Sequence, residues 1–385
     1  AKAYLYGASP LANGNTEMAD FVDKTGRKLI PQKYSEEKWA KAAAAARDVI
    51  EGNWYKLYTA KFREEQVEGD YANPKTIVPP YHPVYSKANF PDGWKDIDPL
   101  ESYRSVFNGE VNFFNNPEMI FSRVINNGAE LHPDLGDFSD VLDMVRHQMP
   151  ASLGGWNIHS MTMKQCDAYD MADGTAFDRK KCLKGFAGPE NKKDRPYDNL
   201  EDGVWMGYAN REPRFYASVG YDRGTYRFNG GKMTIKARKG EPQGFTGSYD
   251  DEYQSYNGYF CQKWVNEQSK AKLNSSGNYA VDTYMYYVYP YMRVAELYLS
   301  YAEADFEYDG TLSDYGYECL NKIRSRCGLP TFQESWSKAG GIPTGDKLRD
   351  IIRRERSIEF MLEGRRFHDI RRWKIAEECM RPTPK

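Results

Sequence analysis

The chain has 385 residues and a formal charge of −2, with 53 Lys and Arg set against 55 Asp and Glu. That balance excludes a global field able to recruit nucleic acid or an anionic membrane, and the length allows one large domain or two to three average ones. No apolar run reaches the about 18 residues of a membrane-spanning helix, and the six cysteines (Cys166, Cys182, Cys261, Cys319, Cys327, Cys379) include no C-x-x-C pair and no zinc-like spacing with His.

In chain order, "AKAYLYGASP" reads as helix from its first residue, without a cap or a signal-peptide pattern. "YSEEKWAKAAAAARDVIEGN" is a strong helix. Ser35 is placed to cap it, Glu36 and Glu37 suit its positive first turn, and Gly52 supplies the stop. The alanines from Ala42 to Ala46 allow a neighbouring helix to come close. From 53 to 160, Pro, Gly, Asn and aromatics dominate, as in "NPKTIVPPYHPVYSKANFPDGW". Such a segment reads as long loops, more suited to a site than to a core.

"PRFYASVGYDRGTYRFNGG" alternates Phe215, Ala217, Val219 and Tyr221, which reads as a strand turning at "DRG" into a second one. Helix resumes in "MRVAELYLSYAEADFEY", with Val294, Leu297, Tyr298 and Tyr301 on one face. "LSDYGYECLNKIRSRCGLP" pairs with it through Leu312, Tyr315, Cys319, Leu320 and Ile323, and ends at Gly328 and Pro330. "DKLRDIIRRERSIEFMLEG" and "RRFHDIRRWKIAEECM" make a second helical pair of the tetratricopeptide kind. The C-terminal "CMRPTPK" stops directly after a helix, and both ends read as cut. Helical ends (1–52 and 290–380) thus enclose a loop-rich block, 53–289.

Aromatic residues make up 15% of the chain, led by 30 Tyr. They suit either many core positions or a surface that stacks on sugars. No phosphate-binding loop, dinucleotide fingerprint, G-x-S-x-G or H-E-x-x-H is present. "DFEYDG" (305–310) imitates a calcium loop, but its twelfth position is Gly316, where a bidentate Glu is required. His82, His132, His147, His159 and His368 are scattered, so no metal site is expected. Asp92, Asp96 and Asp173, the acids nearest the aromatic segments, sit in turn contexts that account for them.

"ERSIEFMLEGRRFHDIRRW" (355–373) carries the densest charge. On one helix Glu355, Glu359 and Glu363 would form a column of like charges, which needs cations from elsewhere. Arg365, Arg366, Arg371 and Arg372 on the following helix are the nearest candidates, with bidentate geometry. The expectation is an architectural ion network, in which removing Glu359 or Arg366 lowers stability by about 3 kcal/mol.

This stretch also resembles the C-terminal signature of the SusD-like (RagB/SusD) family of surface nutrient-binding lipoproteins. "YLYGASPLANGN" and "KWAKAAAAARDVIE" resemble the family's early helical repeat, and "MTMKQCDAYDMADGTAF" its mid-chain element. "NREPRFYASVGYDRGTYRFNG" resembles the strand pair that follows. "YPYMRVAELYLSYAEADFEYDG" with "CLNKIRSRCGLP" resembles a later helical pair. Family members run longer at both ends and begin at a lipidated cysteine.

The resemblance implies a mostly α fold over 1–385 as a single domain, in which a tetratricopeptide-like scaffold packs against a loop-rich half with a few short β-strands. It implies a non-catalytic protein without cofactor, lipid-anchored on the outer face of the outer membrane. Such a protein delivers oligosaccharide to a SusC-like TonB-dependent transporter. Its ligand site would lie on the loops. Trp156 in "SLGGWNIHS" is the first candidate, with Asn157, Trp94, Tyr81, Tyr85, Asn126 and Asn127 chosen for aromatic or amide character. Trp156 reads equally well as a core aromatic under a glycine turn. Alternatives are a peptide-binding member of the family, a glycoside hydrolase, and a soluble tetratricopeptide adaptor, for which the loop-rich block is superfluous.

Overall fold

The computed structural model describes residues 1–66, 75–123, 147–182, 185–195, 200–228, 231–244, 257–273, 279–283 and 289–381. Among them the protein is mostly helical, and its strands pair only in twos. The principal helices are α1 (Lys2–Ala8), α2 (Glu37–Glu51), α3 (Pro99–Arg104), α4 (Pro213–Ser218), α5 (Val294–Asp309), α6 (Asp314–Arg326), α7 (Phe332–Lys338), α8 (Gly345–Glu359) and α9 (Arg365–Arg372). Two compact units form: Ala1–Leu57 with Met292–Ile323 and Gly341–Lys385, and Tyr58–Tyr291 with Arg324–Gly340.

In the first unit, α2 buries Trp39, Ala42, Ala46 and Ile50, a spacing of three and four that makes one helical edge. Its small residues let α1 and α5 close in, and Leu5, Ala8, Trp39, Ala42 and Ala304 form one core cluster. Ser35 is not the cap. Glu36 holds that position with no side-chain bond, and the left-handed residue at the far end is Asn53 (φ 53°), not Gly52. Helix α5 is buried from Val294 to Phe306, Glu296 and Glu303 included. Gly310 (φ 73°) ends it, and the Tyr301 and Tyr315 rings meet at 4.8 Å across the turn into α6. Asp305 accepts from the Ser313 backbone N–H at 2.8 Å, a tie between two helices rather than a calcium ligand.

The charged stretch is architecture, but its partners differ from those expected. Helix α8 stops at Glu359, and Leu362 (φ 61°) and Gly364 (φ 69°) turn the chain into α9, so Glu363 leaves the column. Arg293 answers both acids, reaching Glu359 Oε1 at 2.7 Å and both Glu363 oxygens at 2.9 Å. Arg356 bonds Asp369 (2.9 Å) and Glu296 (3.2 Å), while Arg372 takes Asp369 (2.8 Å) and Glu303 (2.6 Å). Trp373 Nε1 donates to Glu303 at 2.6 Å. Of the four expected arginines, Arg372 and Arg365 serve, the latter 3.5 Å from Glu296. Arg371 is exposed over Phe367, and half-buried Arg366 reaches Cys379 Sγ at 3.4 Å.

Burial alone would lower the Arg356 guanidinium, yet Asp369 and Glu296 hold it above its ordinary value. Burial would likewise raise Asp369, and Arg356 and Arg372 hold it below. Attraction therefore exceeds desolvation at both ends of the pair. Removing one partner of such a buried pair costs about 3–5 kcal/mol.

The second unit has an aromatic core, which absorbs much of the Tyr content. Tyr208 lies 4.3 Å from Tyr221, and Phe215 packs edge-on to Tyr169 at 5.8 Å. The run read as a strand from Phe215 is instead α4, buried at every residue, so alternation carried no facing information there. Only Val219–Gly220 is strand, paired with Phe260–Cys261, and Thr225–Phe228 pairs with Gly231–Thr234. Cys166, Cys261, Cys319 and Cys327 are buried and form no disulfide.

Candidate functional site

Trp156 sits on a loop of the second unit shaped by two glycines. Gly154 is left-handed (φ 92°), and a Cβ on Gly155 would lie 2.2 Å from the Met149 carbonyl oxygen. That approach lets the Asn157 N–H donate to Met149 O at 2.9 Å and the His159 N–H to His147 O at 3.0 Å. His147 and His159 thereby face each other (rings 5.4 Å apart), and the half-buried Trp156 ring lies 5.0 Å from His147. Burial and the neighbouring His147 lower the His159 pKa, so the imidazole stays neutral at neutral pH. His159 and Ile158 are exposed, so Trp156 belongs to a wet aromatic patch. Asn157 does not: it is buried (5% exposed) and holds the left-handed turn (φ 46°).

Tyr81, Tyr85 and Trp94 all lie in the same unit, and Tyr85 packs on Trp94. Tyr81 is 70% exposed, whereas Trp94 is 4% exposed and offers no face to a ligand. Its ring backs Tyr85 at 5.3 Å, and the Tyr85 hydroxyl is tied to Thr331 Oγ1 at 2.9 Å. His82 stacks on Tyr85 and lies 2.7 Å from Glu334. Burial would raise the Glu334 carboxyl, but hydrogen bonds from Lys338, His82 and Tyr85 bring it down to about 2. Tyr81 is the accessible ring of the three. Asn126 and Asn127 lie outside the described residues.

A third place has no single sequence signal. A cavity of about 440 Å³ opens between α3, α4 and the strand Thr225–Phe228, within the usual range for small-ligand pockets. Its lining includes Tyr216 and Tyr221 together with Asp98, Glu101, Arg104 and Arg227. Asp98 caps α3, accepting from the Glu101 N–H at 3.0 Å, and Pro99 follows at the first helical position. Arg104 bonds Glu110 at 2.9 Å, and Arg227 bonds Glu101. Burial raises the Asp98 carboxyl to about 6 and Glu267, behind the cavity, to about 7. It pulls Arg227 below its ordinary value. The lining includes none of the seven residues chosen from sequence, because it gathers pieces of five separate segments. Among the described residues no group of three or more His, Cys, Asp or Glu is placed to hold a metal ion, and no helix is long and apolar enough to cross a membrane.

Comparison with known proteins adds identity to this geometry. The fold is similar to that of BT4246, with TM-score 0.65 and 21% identity over 98% of this chain and 59% of that one. It is similar to the SusD-like protein BF3747 of Bacteroides fragilis, with TM-score 0.54 and 23% identity over 94% of this chain and 58% of that one. It is similar also to BF0978 of B. fragilis, described as a SusD-like carbohydrate binding protein, with TM-score 0.53 and 22% identity over 89% and 50%. The chain therefore spans between half and three fifths of the length of these structures. No curated protein matches it. Residues 117–384, more than half of the chain, match the family model described as SusD family. The chain belongs to the SusD family.

Proposed function

We propose that this protein captures an oligosaccharide at the cell surface through its loop-rich unit and passes it, uncleaved, to a SusC-like TonB-dependent transporter. A lipid anchor would hold it on the outer face of the outer membrane. The observation that carries this reading is the family match over residues 117–384. Proteins of the SusD family are non-catalytic binding proteins, and the fold neighbour BF0978 is described as carbohydrate binding.

The chemistry of the loop-rich unit agrees. Sugars present apolar C–H faces and many hydroxyls, which call for flat rings beside fixed donors and acceptors. Trp156 and Tyr81 supply accessible rings, and the cavity lining includes Tyr216 and Tyr221 together with ion-paired side chains. Asn157 holds the turn beside Trp156.

A glycan array and a peptide array, each probed with the purified protein, test the reading. Oligosaccharide binding without turnover is expected. Trp156→Ala should weaken it at least tenfold with unchanged circular dichroism, since an aromatic anchor is worth about 2 kcal/mol. Binding of peptides alone would make this a peptide-capturing member, and release of cleaved sugar would overturn the non-catalytic reading.

A further inference from the structure

We infer that the cavity beside α3 is a subsite for a carboxylate-bearing sugar, a uronic acid, within the oligosaccharide. This rests on the glycan-binding reading above and adds a substrate class to it.

A solute can reach only some of the charges that line the cavity. Thr225 and Arg227 are spaced by two on the strand Thr225–Phe228, Arg223 sits in the left-handed turn before it (φ 66°), and all three line the cavity. Arg223 and Arg227 keep 21% and 14% of their side-chain surface accessible. Two carboxylates of the lining are more deeply set: Glu101 keeps 9%, and Asp98 is 2% exposed. Lys75 is exposed in the lining, and Glu201 is the one exposed acid there. The reachable charge is therefore mainly cationic, although the count of acids and bases in the wall is nearly even.

The existing ion pairs leave donors over. A guanidinium carries five N–H groups. Arg227 gives one to Glu101, and Arg223 gives three, to Glu241 and Asp222. Burial leaves Arg227 below its ordinary pKa although Glu267 and Asp98 raise it; besides its bond to Glu101 it lies 3.8 Å from Glu267. Forked guanidinium donors match a carboxylate better than a lone hydroxyl. Tyr221 and Leu100, each 6% exposed, add apolar atoms to the lining.

Calorimetric titration with galacturonate trisaccharide and with neutral galactose trisaccharide tests this. The uronate should bind at least tenfold more tightly, with a preference that shrinks as salt is raised. Arg223→Ala and Lys75→Ala should each weaken uronate binding, Arg223→Ala by about tenfold, the scale of one charge-assisted hydrogen bond. Neither should alter affinity for a neutral glycan held at the Trp156 patch. Lys75 is exposed, so its variant keeps the test sound if Arg223→Ala folds poorly. Equal affinity for the acidic and neutral sugars, or uronate binding indifferent to both substitutions, would overturn the inference while leaving the glycan-binding reading in place. Failure of every sugar to bind the wild-type protein would overturn both.

Discussion

The two units use the same residue types, arginine and carboxylate, for different ends. In the first unit Arg293, Arg356 and Arg372 are at most 2% exposed, each bonded to carboxylates from more than one position in the chain. There the arginines Arg356 and Arg372 are held above their ordinary pKa and Asp369 below. Around the cavity of the second unit some buried groups shift the other way: Arg227 falls, Asp98 rises to about 6 and Glu267 to about 7, whereas Arg223, paired with Glu241, is raised. Completed pairing marks an element that holds helices together. Incomplete pairing around an opening marks a place that a ligand can complete. Charge density alone, which drew attention to 355–373, does not separate the two.

The largest effect expected from this contrast is on the first network. Glu303→Ala leaves Arg372 and the Trp373 indole N–H without their shared acceptor and should lower the unfolding free energy by about 3–5 kcal/mol in urea. A loss below about 1 kcal/mol would mean the pairs are far better solvated than their burial indicates.

Next comes the pH dependence of the cavity. Asp98 has a folded pKa above its unfolded one, so its contribution to stability is complete below about pH 4 and is lost as pH rises through about 6. The difference corresponds to about 3 kcal/mol. Asp98→Asn keeps a capping side chain and should flatten the stability profile between about pH 4 and 7 by that amount. Asp369, held low, acts in the opposite sense: its contribution is present above its ordinary value and lost as pH falls through the depressed one. An unchanged profile in Asp98→Asn would place the titration elsewhere. The smallest effect belongs to Arg366→Ala, which should cost less than about 1 kcal/mol, because this side chain is half-buried against Cys379 and outside the ion network.

The periodic helices were legible in the sequence. The alanines from Ala42 to Ala46 marked the close helix contact at α2, and of the stripe Leu312, Tyr315, Cys319, Leu320 and Ile323 at α6 all are buried but Tyr315, which is half-buried. The ion network was legible in kind but not in pairing, because Arg293 lies more than sixty residues before Glu359 and nothing local announces it. Alternation misled at Phe215–Tyr221, where every position is buried and the period loses its meaning. Of the candidate site residues, Trp156 is half-buried and Tyr81 exposed, whereas Trp94 and Asn157 are buried, which residue type alone could not tell. The cavity escaped because its lining converges from segments that are unremarkable one at a time.

One paired measurement tests the contrast most directly: unfolding free energy and oligosaccharide affinity determined on the same two variants, Arg356→Ala and Arg223→Ala. The expected result is a stability loss of about 3 kcal/mol or more with unchanged affinity of the folded fraction for Arg356→Ala. For Arg223→Ala it is near-native stability with affinity for an acidic sugar reduced about tenfold. The reverse pattern, affinity lost with Arg356 and stability lost with Arg223, would contradict the division of these charges into scaffold and site.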